Sequence, residues 1–91
     1  MIILKSPEEI EKIAQSCRIV AKTIDTIRVM VRAGLTTREI ENFADAYIKQ
    51  QGGIPAFKGY RGYPSSICTS VNNEVIHGIP SKRVLRDGDV L

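Results

Sequence analysis

Two helix-start signals, thirty residues apart, constrain this chain more than any other feature of it. In Ser6-Pro7-Glu8-Glu9, Ser6 is placed to cap the free amides of a first turn, Pro7 suits the first helical position and Glu9 completes a capping box. Behind it Ile10, Ile13, Ala14, Cys17, Val20, Ala21, Ile24, Ile27 and Val31 recur at spacings of three and four. Lys12, Arg18, Lys22, Asp25 and Arg28 fall mostly off that stripe. The pattern predicts an amphipathic helix of about seven turns, its stripe a core contact, closed by Gly34 as a left-handed cap. Thr36 and Glu39 form a second capping box, with Leu35 and Ile40 placed as a hydrophobic staple. Ile40, Phe43, Ala44, Tyr47 and Ile48 carry the apolar face of that helix, and Gly52-Gly53 stops it. Two helices joined by so tight a corner read as an αα-hairpin that covers something flat.

The flat element is expected next. Ser66 to Val71 and Glu74 to His77 are short β-favouring runs around Asn72-Asn73, and asparagine tolerates positive φ, so a two-residue hairpin turn is predicted. That register pairs Val71 with Glu74, Ser70 with Val75, Thr69 with Ile76 and Cys68 with His77. Cys68, Ser70, Val75 and His77 then share one face of the sheet, while Ile67, Thr69, Val71, Glu74 and Ile76 face the helices. Ile2 to Leu4 reads as a short strand or an extended arm. Arg86-Asp87-Gly88-Asp89 reads as a turn into a further strand that begins at Val90-Leu91, so the chain looks cut rather than finished. The fold class is therefore α/β (α+β), one incomplete domain over residues 1–91, with two helices on a β-hairpin and the start of another strand.

Composition removes several classes of function. The chain has 91 residues, 43% of them apolar and 25% charged, which suits a small soluble globular domain. Its net charge of +3 is compatible with an acidic partner without requiring one. Cys17 and Cys68 form neither a disulfide framework nor a metal clip, and reduced thiols in a cytoplasmic protein are the expectation. No apolar run approaches the roughly 20 residues that span a bilayer. The opening MIILKSPEE turns acidic too soon for a signal or transit peptide.

Chemistry concentrates between Phe57 and Pro80, which hold the one histidine and two of the three tyrosines. His77, followed by Gly78 where backbone can approach a ligand, could donate a proton or hydrogen bond to a carbonyl or leaving nitrogen; it could equally be a packed or surface residue. Alone it makes no metal site, since a tight zinc site needs three or four protein ligands. Tyr60 and Tyr63, set among glycines, could wall an apolar pocket or cover the edge of the core. With Phe57 and Cys68 they would make a soft, polarisable lining matched to a thioether, while Cys68 is a weak candidate nucleophile. A second class of reading takes Lys58, Arg61, Tyr60 and Tyr63 as a small nucleic-acid-binding module in the 57–63 loop.

The run FKGYRGYPSSICTSVNNEVIHGIP closely resembles a segment of the bacterial and organellar methionine aminopeptidases. IILKSPEEIEKI, RAGLTTREIE and VLRDGDVL extend the resemblance over essentially the whole chain. The resemblance implies the N-terminal part of a pita-bread (creatinase/aminopeptidase) fold, built from two similar halves with a di-metal site between them. It implies a metallopeptidase that hydrolyses the bond after the N-terminal methionine of nascent polypeptides, cytoplasmic, monomeric, at the ribosome in some settings, with no membrane or specific nucleic-acid partner. His77 matches the active-site histidine that contacts substrate without ligating metal. Tyr60, Tyr63 and Cys68 match the pocket for the methionine side chain, and Phe57 a pocket position that is cysteine or phenylalanine. Asn72 matches a position whose carbonyl helps hold a monovalent cation in some members. The cofactors implied are two divalent ions (Co, Mn, Fe or Zn), whose five ligands lie downstream of Leu91. None is expected in these 91 residues, which are therefore expected to be inactive alone.

Overall fold

The computed structural model of the chain describes all 91 residues. Helix α1 spans Pro7–Met30 and α2 spans Thr37–Gln50. Both start as their capping boxes require. The Glu9 amide donates to Ser6 Oγ at 3.2 Å and the Ser6 amide to Glu9 Oε1 at 2.8 Å. The Glu39 amide donates to Thr36 Oγ1 at 3.1 Å and the Thr36 amide to Glu39 Oε2 at 2.7 Å. Each box satisfies two amides that an uncapped helix end would leave without partners.

The end of α1 differs from expectation. The helix stops at Met30, with Val31 already extended at φ −66°, ψ 130°. Gly34 does adopt a left-handed φ of +94°, but in the loop, where its amide donates to the Leu85 carbonyl at 2.8 Å. A tertiary hydrogen bond thus takes over from the predicted helix cap. The corner is sewn to the C-terminal segment. Leu85 N–H donates to Leu35 O at 2.8 Å, Thr37 N–H to Arg83 O at 3.1 Å and Arg38 N–H to Ser81 O at 2.8 Å. An isolated antiparallel bridge joins Thr36 to Val84.

Around this seam Leu35, Ile40, Val71 and Leu85 form the core, with Ile27, Met30, Val31 and Ile67 packed against it. Ile40 and Val71 are each 1% exposed. The staple pair is therefore in the core, at the C-terminal end of α1. The rest of the α1 stripe is not. Ile10, Ile13, Cys17, Val20 and Ile24 are exposed, and Thr23 is the buried residue of this helix. The reason is length. At 1.5 Å per residue α1 runs about 36 Å and α2 only about 21 Å, so α2 cannot cover its partner.

The predicted hairpin is not formed, and neither it nor Val90-Leu91 gives a strand. The turn itself survives, because the Glu74 amide donates to the Val71 carbonyl at 3.1 Å. Beyond it, side chains take the places of ladder partners. The Val71 amide donates to the Glu74 carboxylate at 3.0 Å and the Gly78 amide to Ser70 Oγ at 3.1 Å. Only Asn72 of the asparagine pair has positive φ, whereas the type I′ form of a two-residue hairpin turn needs both. Pairing resumes with the Thr69 amide on the Gly78 carbonyl at 2.8 Å, two residues out of the expected register. Ile67, Thr69 and Val71 still turn inward, as expected for the first run, but Ile76 is 70% exposed and packs on no helix. The Arg86–Asp89 turn closes as predicted, with the Asp89 amide on the Arg86 carbonyl at 3.1 Å. Residues 2–4 are an exposed arm. No helix is long and apolar enough to cross a membrane.

Candidate functional site

Glycines shape the loop that carries the aromatic residues. Gly59 at φ +81° and Gly62 at φ +80° flank a single 3₁₀ turn over Tyr60–Gly62, and the Gly59 amide closes the loop on the Tyr63 carbonyl at 2.7 Å. The curl brings three rings together. Phe57 lies with its centroid 4.5 Å from that of Tyr63 and 6.0 Å from that of Tyr60. These are contact distances for offset or tilted rings. Arg61 holds its guanidinium 5.3 Å over the Tyr60 ring, so this cation is engaged within its own loop.

His77 joins the cluster from the other side of the sequence, its ring 5.4 Å from Phe57 and tilted by 46°. Its backbone sits at φ +56°, which costs a non-glycine residue about 1–2 kcal/mol. The Tyr63 hydroxyl lies 2.9 Å from the Ile67 carbonyl and 3.2 Å from that of Gly78. Burial first, and then the adjacent Cys68 thiol, push the Tyr63 phenol above its usual pKa. The hydroxyl therefore stays a donor at neutral pH.

Of the residues singled out by sequence, Phe57, Tyr60, Tyr63 and His77 come together, with Phe57 at the centre. Cys68 does not pair with His77 across a hairpin as expected. It stands beside Tyr63 and, with Phe57 and Ile67, lines a cleft of about 540 Å³ bounded by Ile19, Val20 and Ile27 of α1. Asn72 binds the C-terminal segment, its side chain donating to Asp89 and accepting from the Val90 amide, both at 3.0 Å.

Sequence reasoning missed the polar clamp beneath this site. Glu41 is 8% exposed and accepts from the Ser66 amide at 3.0 Å, while the Ser66 hydroxyl donates to Asp45. Asp45 also pairs with Lys49 at 2.9 Å, and its carboxyl is held below the usual range by Ser66 first and Lys49 second. Glu41 and Asp45 stand four apart on α2, on one face, which was the available signal. Their partner, Ser66, is more than twenty residues away and gives none.

No three histidine, cysteine, aspartate or glutamate side chains converge as a metal-binding group. The carboxylate of Asp89 is engaged by Asn72 and by the Arg86 amide at 2.8 Å. The donor set of these residues does not fit a di-metal centre.

The model described as metallopeptidase family M24 matches residues 11–91. The chain is 47% identical over 91 residues to methionine aminopeptidase 1 of Bacillus subtilis, covering 100% of this chain and 37% of that protein. Against the methionine aminopeptidase of Clostridium acetobutylicum the identity is 49% over 92 residues, with the same two coverages. The crystal structure of methionine aminopeptidase from Thermotoga maritima superposes with a TM-score of 0.93 at 40% identity, covering 98% of this chain and 36% of that one. The chain thus spans a little over a third of the length of these relatives.

Proposed function

The chain belongs to metallopeptidase family M24, and from that premise we propose that it is the N-terminal part of a methionine aminopeptidase, residues 1–91 forming one incomplete domain of a pita-bread fold. The observation that carries this reading is similarity to methionine aminopeptidases along the full length of the chain. The complete enzyme hydrolyses the bond after an N-terminal methionine of nascent polypeptides. It works in the cytoplasm as a monomer, near the ribosome where chains emerge. The nucleic-acid alternative for loop 57–63 gains no support from the proteins the chain is similar to, which are methionine aminopeptidases.

In this reading Phe57, Tyr60, Tyr63 and Cys68 receive the methionine side chain. Ring faces and a thiol offer the polarisable contacts that a thioether prefers. His77, exposed beside Phe57, donates a hydrogen bond to the scissile carbonyl as charge develops on it. Two divalent ions (Co, Mn, Fe or Zn) supply the activated water in the complete enzyme. Their ligands are proposed to lie outside residues 1–91. The test is methionine release from a short Met-Ala peptide by the complete enzyme with added manganese or cobalt; failure to release it, with other N-terminal residues cleaved instead, overturns the assignment.

Two expected results follow from the division of labour. Residues 1–91 alone, purified and given cobalt or manganese, release no methionine above the buffer rate, because they bring together no metal-donor set. Measurable turnover would show a catalytic centre within them. In the complete enzyme, Cys68→Arg fills the cleft beside Phe57 with a long cation. kcat/KM for a Met-Ala peptide is expected to fall roughly 100-fold, about 2.7 kcal/mol of transition-state binding. Unchanged kinetics would remove Cys68 from the pocket.

A further inference from the structure

We infer that Ser70, together with the Tyr63 hydroxyl, is a positioning residue that holds His77 through the backbone of Gly78. The inference rests on the reading that His77 meets the substrate. The segment carrying His77 has little apolar anchoring, for Val75 is 88% and Ile76 70% exposed. It cannot be shaped by burial of its own side chains. What holds it is polar and falls on one residue. The Gly78 amide donates to Ser70 Oγ at 3.1 Å, and the Gly78 carbonyl accepts from the Thr69 amide at 2.8 Å and from Tyr63 Oη at 3.2 Å.

Gly78 is gripped at both its donor and its acceptor, immediately after a histidine whose φ is +56°. A left-handed non-glycine residue persists only where its surroundings over-determine it. Here the surroundings are these bonds. With the peptide after His77 fixed, the imidazole is carried to Phe57, 5.4 Å away. Of the gripping groups, the Thr69 amide is backbone and cannot be removed by substitution. Ser70 and Tyr63 can. Ser70 has no other hydrogen bond from its hydroxyl and stands outside the aromatic cluster, so its loss isolates the latch from the pocket wall.

The experiment compares Ser70→Ala, Ser70→Thr and Tyr63→Phe in the complete enzyme. Ser70→Ala is expected to lower kcat between about tenfold and 100-fold with KM held within about twofold, as for a group displaced from its reacting partner. Ser70→Thr keeps the hydroxyl and recovers most of that loss. The His77 ring proton resonances, read by NMR with labelled histidine, move in Ser70→Ala and return in Ser70→Thr, because the ring leaves Phe57. Should Ser70→Ala fail to fold, Tyr63→Phe carries the same comparison, since it keeps the ring and removes only the hydroxyl, with its contacts to the Gly78 and Ile67 carbonyls. An unmoved His77 signal, or a loss confined to KM, overturns the positioning role. A wild-type enzyme that releases no methionine sinks the functional reading instead, and leaves the NMR comparison to decide the latch.

Discussion

Gly78→Ala is expected to destabilise the fold by about 3 kcal/mol and to reduce methionine release by the complete enzyme more than 100-fold. A Cβ at this position would stand 2.0 Å from the Thr69 carbonyl oxygen, 2.8 Å from its carbon and 3.0 Å from Ser70 Cα. All three are backbone atoms, so no rotamer change relieves the overlap. The two segments must separate, which breaks the Thr69–Gly78 and Ser70–Gly78 hydrogen bonds together. The control is Gly88→Ala. Gly88 has φ +92° but nothing within 4 Å of its would-be Cβ, so only backbone strain is added, about 1 kcal/mol. Chemical denaturation of both variants checks the order. Equal effects would mean that close approach at residue 78 is dispensable.

What could be read from the sequence divides by range. Both helix starts were legible because a capping box spans four consecutive residues and needs no partner elsewhere. The aromatic cluster was legible for a related reason: Phe57, Tyr60 and Tyr63 lie on one glycine-bent loop. The apolar stripe of α1 was legible as a face but not as a contact. Periodicity states which side chains align, and only the lengths of neighbouring elements decide what covers them. Ile10, Ile13 and Val20 remain exposed for that reason. The hairpin failed through chemistry that β-propensity ignores. Glu74 and Ser70 are short-range competitors for backbone amides, and by taking those of Val71 and Gly78 they displace the ladder. Cys68 and His77 were consequently assigned to a shared face that the structure does not build. The clamp of Ser66 on Glu41 and Asp45 was not legible at all, because it joins a helix to a loop over twenty residues apart.

His77→Ala is expected to lower kcat of the complete enzyme by about 10²–10⁴, the range for loss of a positioned acid or base group. Stability should hardly change. The imidazole is exposed, and an exposed side chain away from caps and clamps contributes within about 0.5 kcal/mol. That separation matters because the backbone here is unusual. Alanine inherits the φ of +56° without any side chain suited to it, so a fall in activity could arise from a shifted loop. His77→Asn distinguishes the causes. Asparagine tolerates positive φ better than most residues and carries an amide donor on a shorter arm. If geometry alone matters, Asn restores most of the activity that Ala loses. If proton donation by an imidazole matters, Asn stays well below wild type while its denaturation midpoint matches. A His77→Ala enzyme with kcat within about threefold of wild type would take His77 out of the chemistry and leave its contact with Phe57 as packing alone.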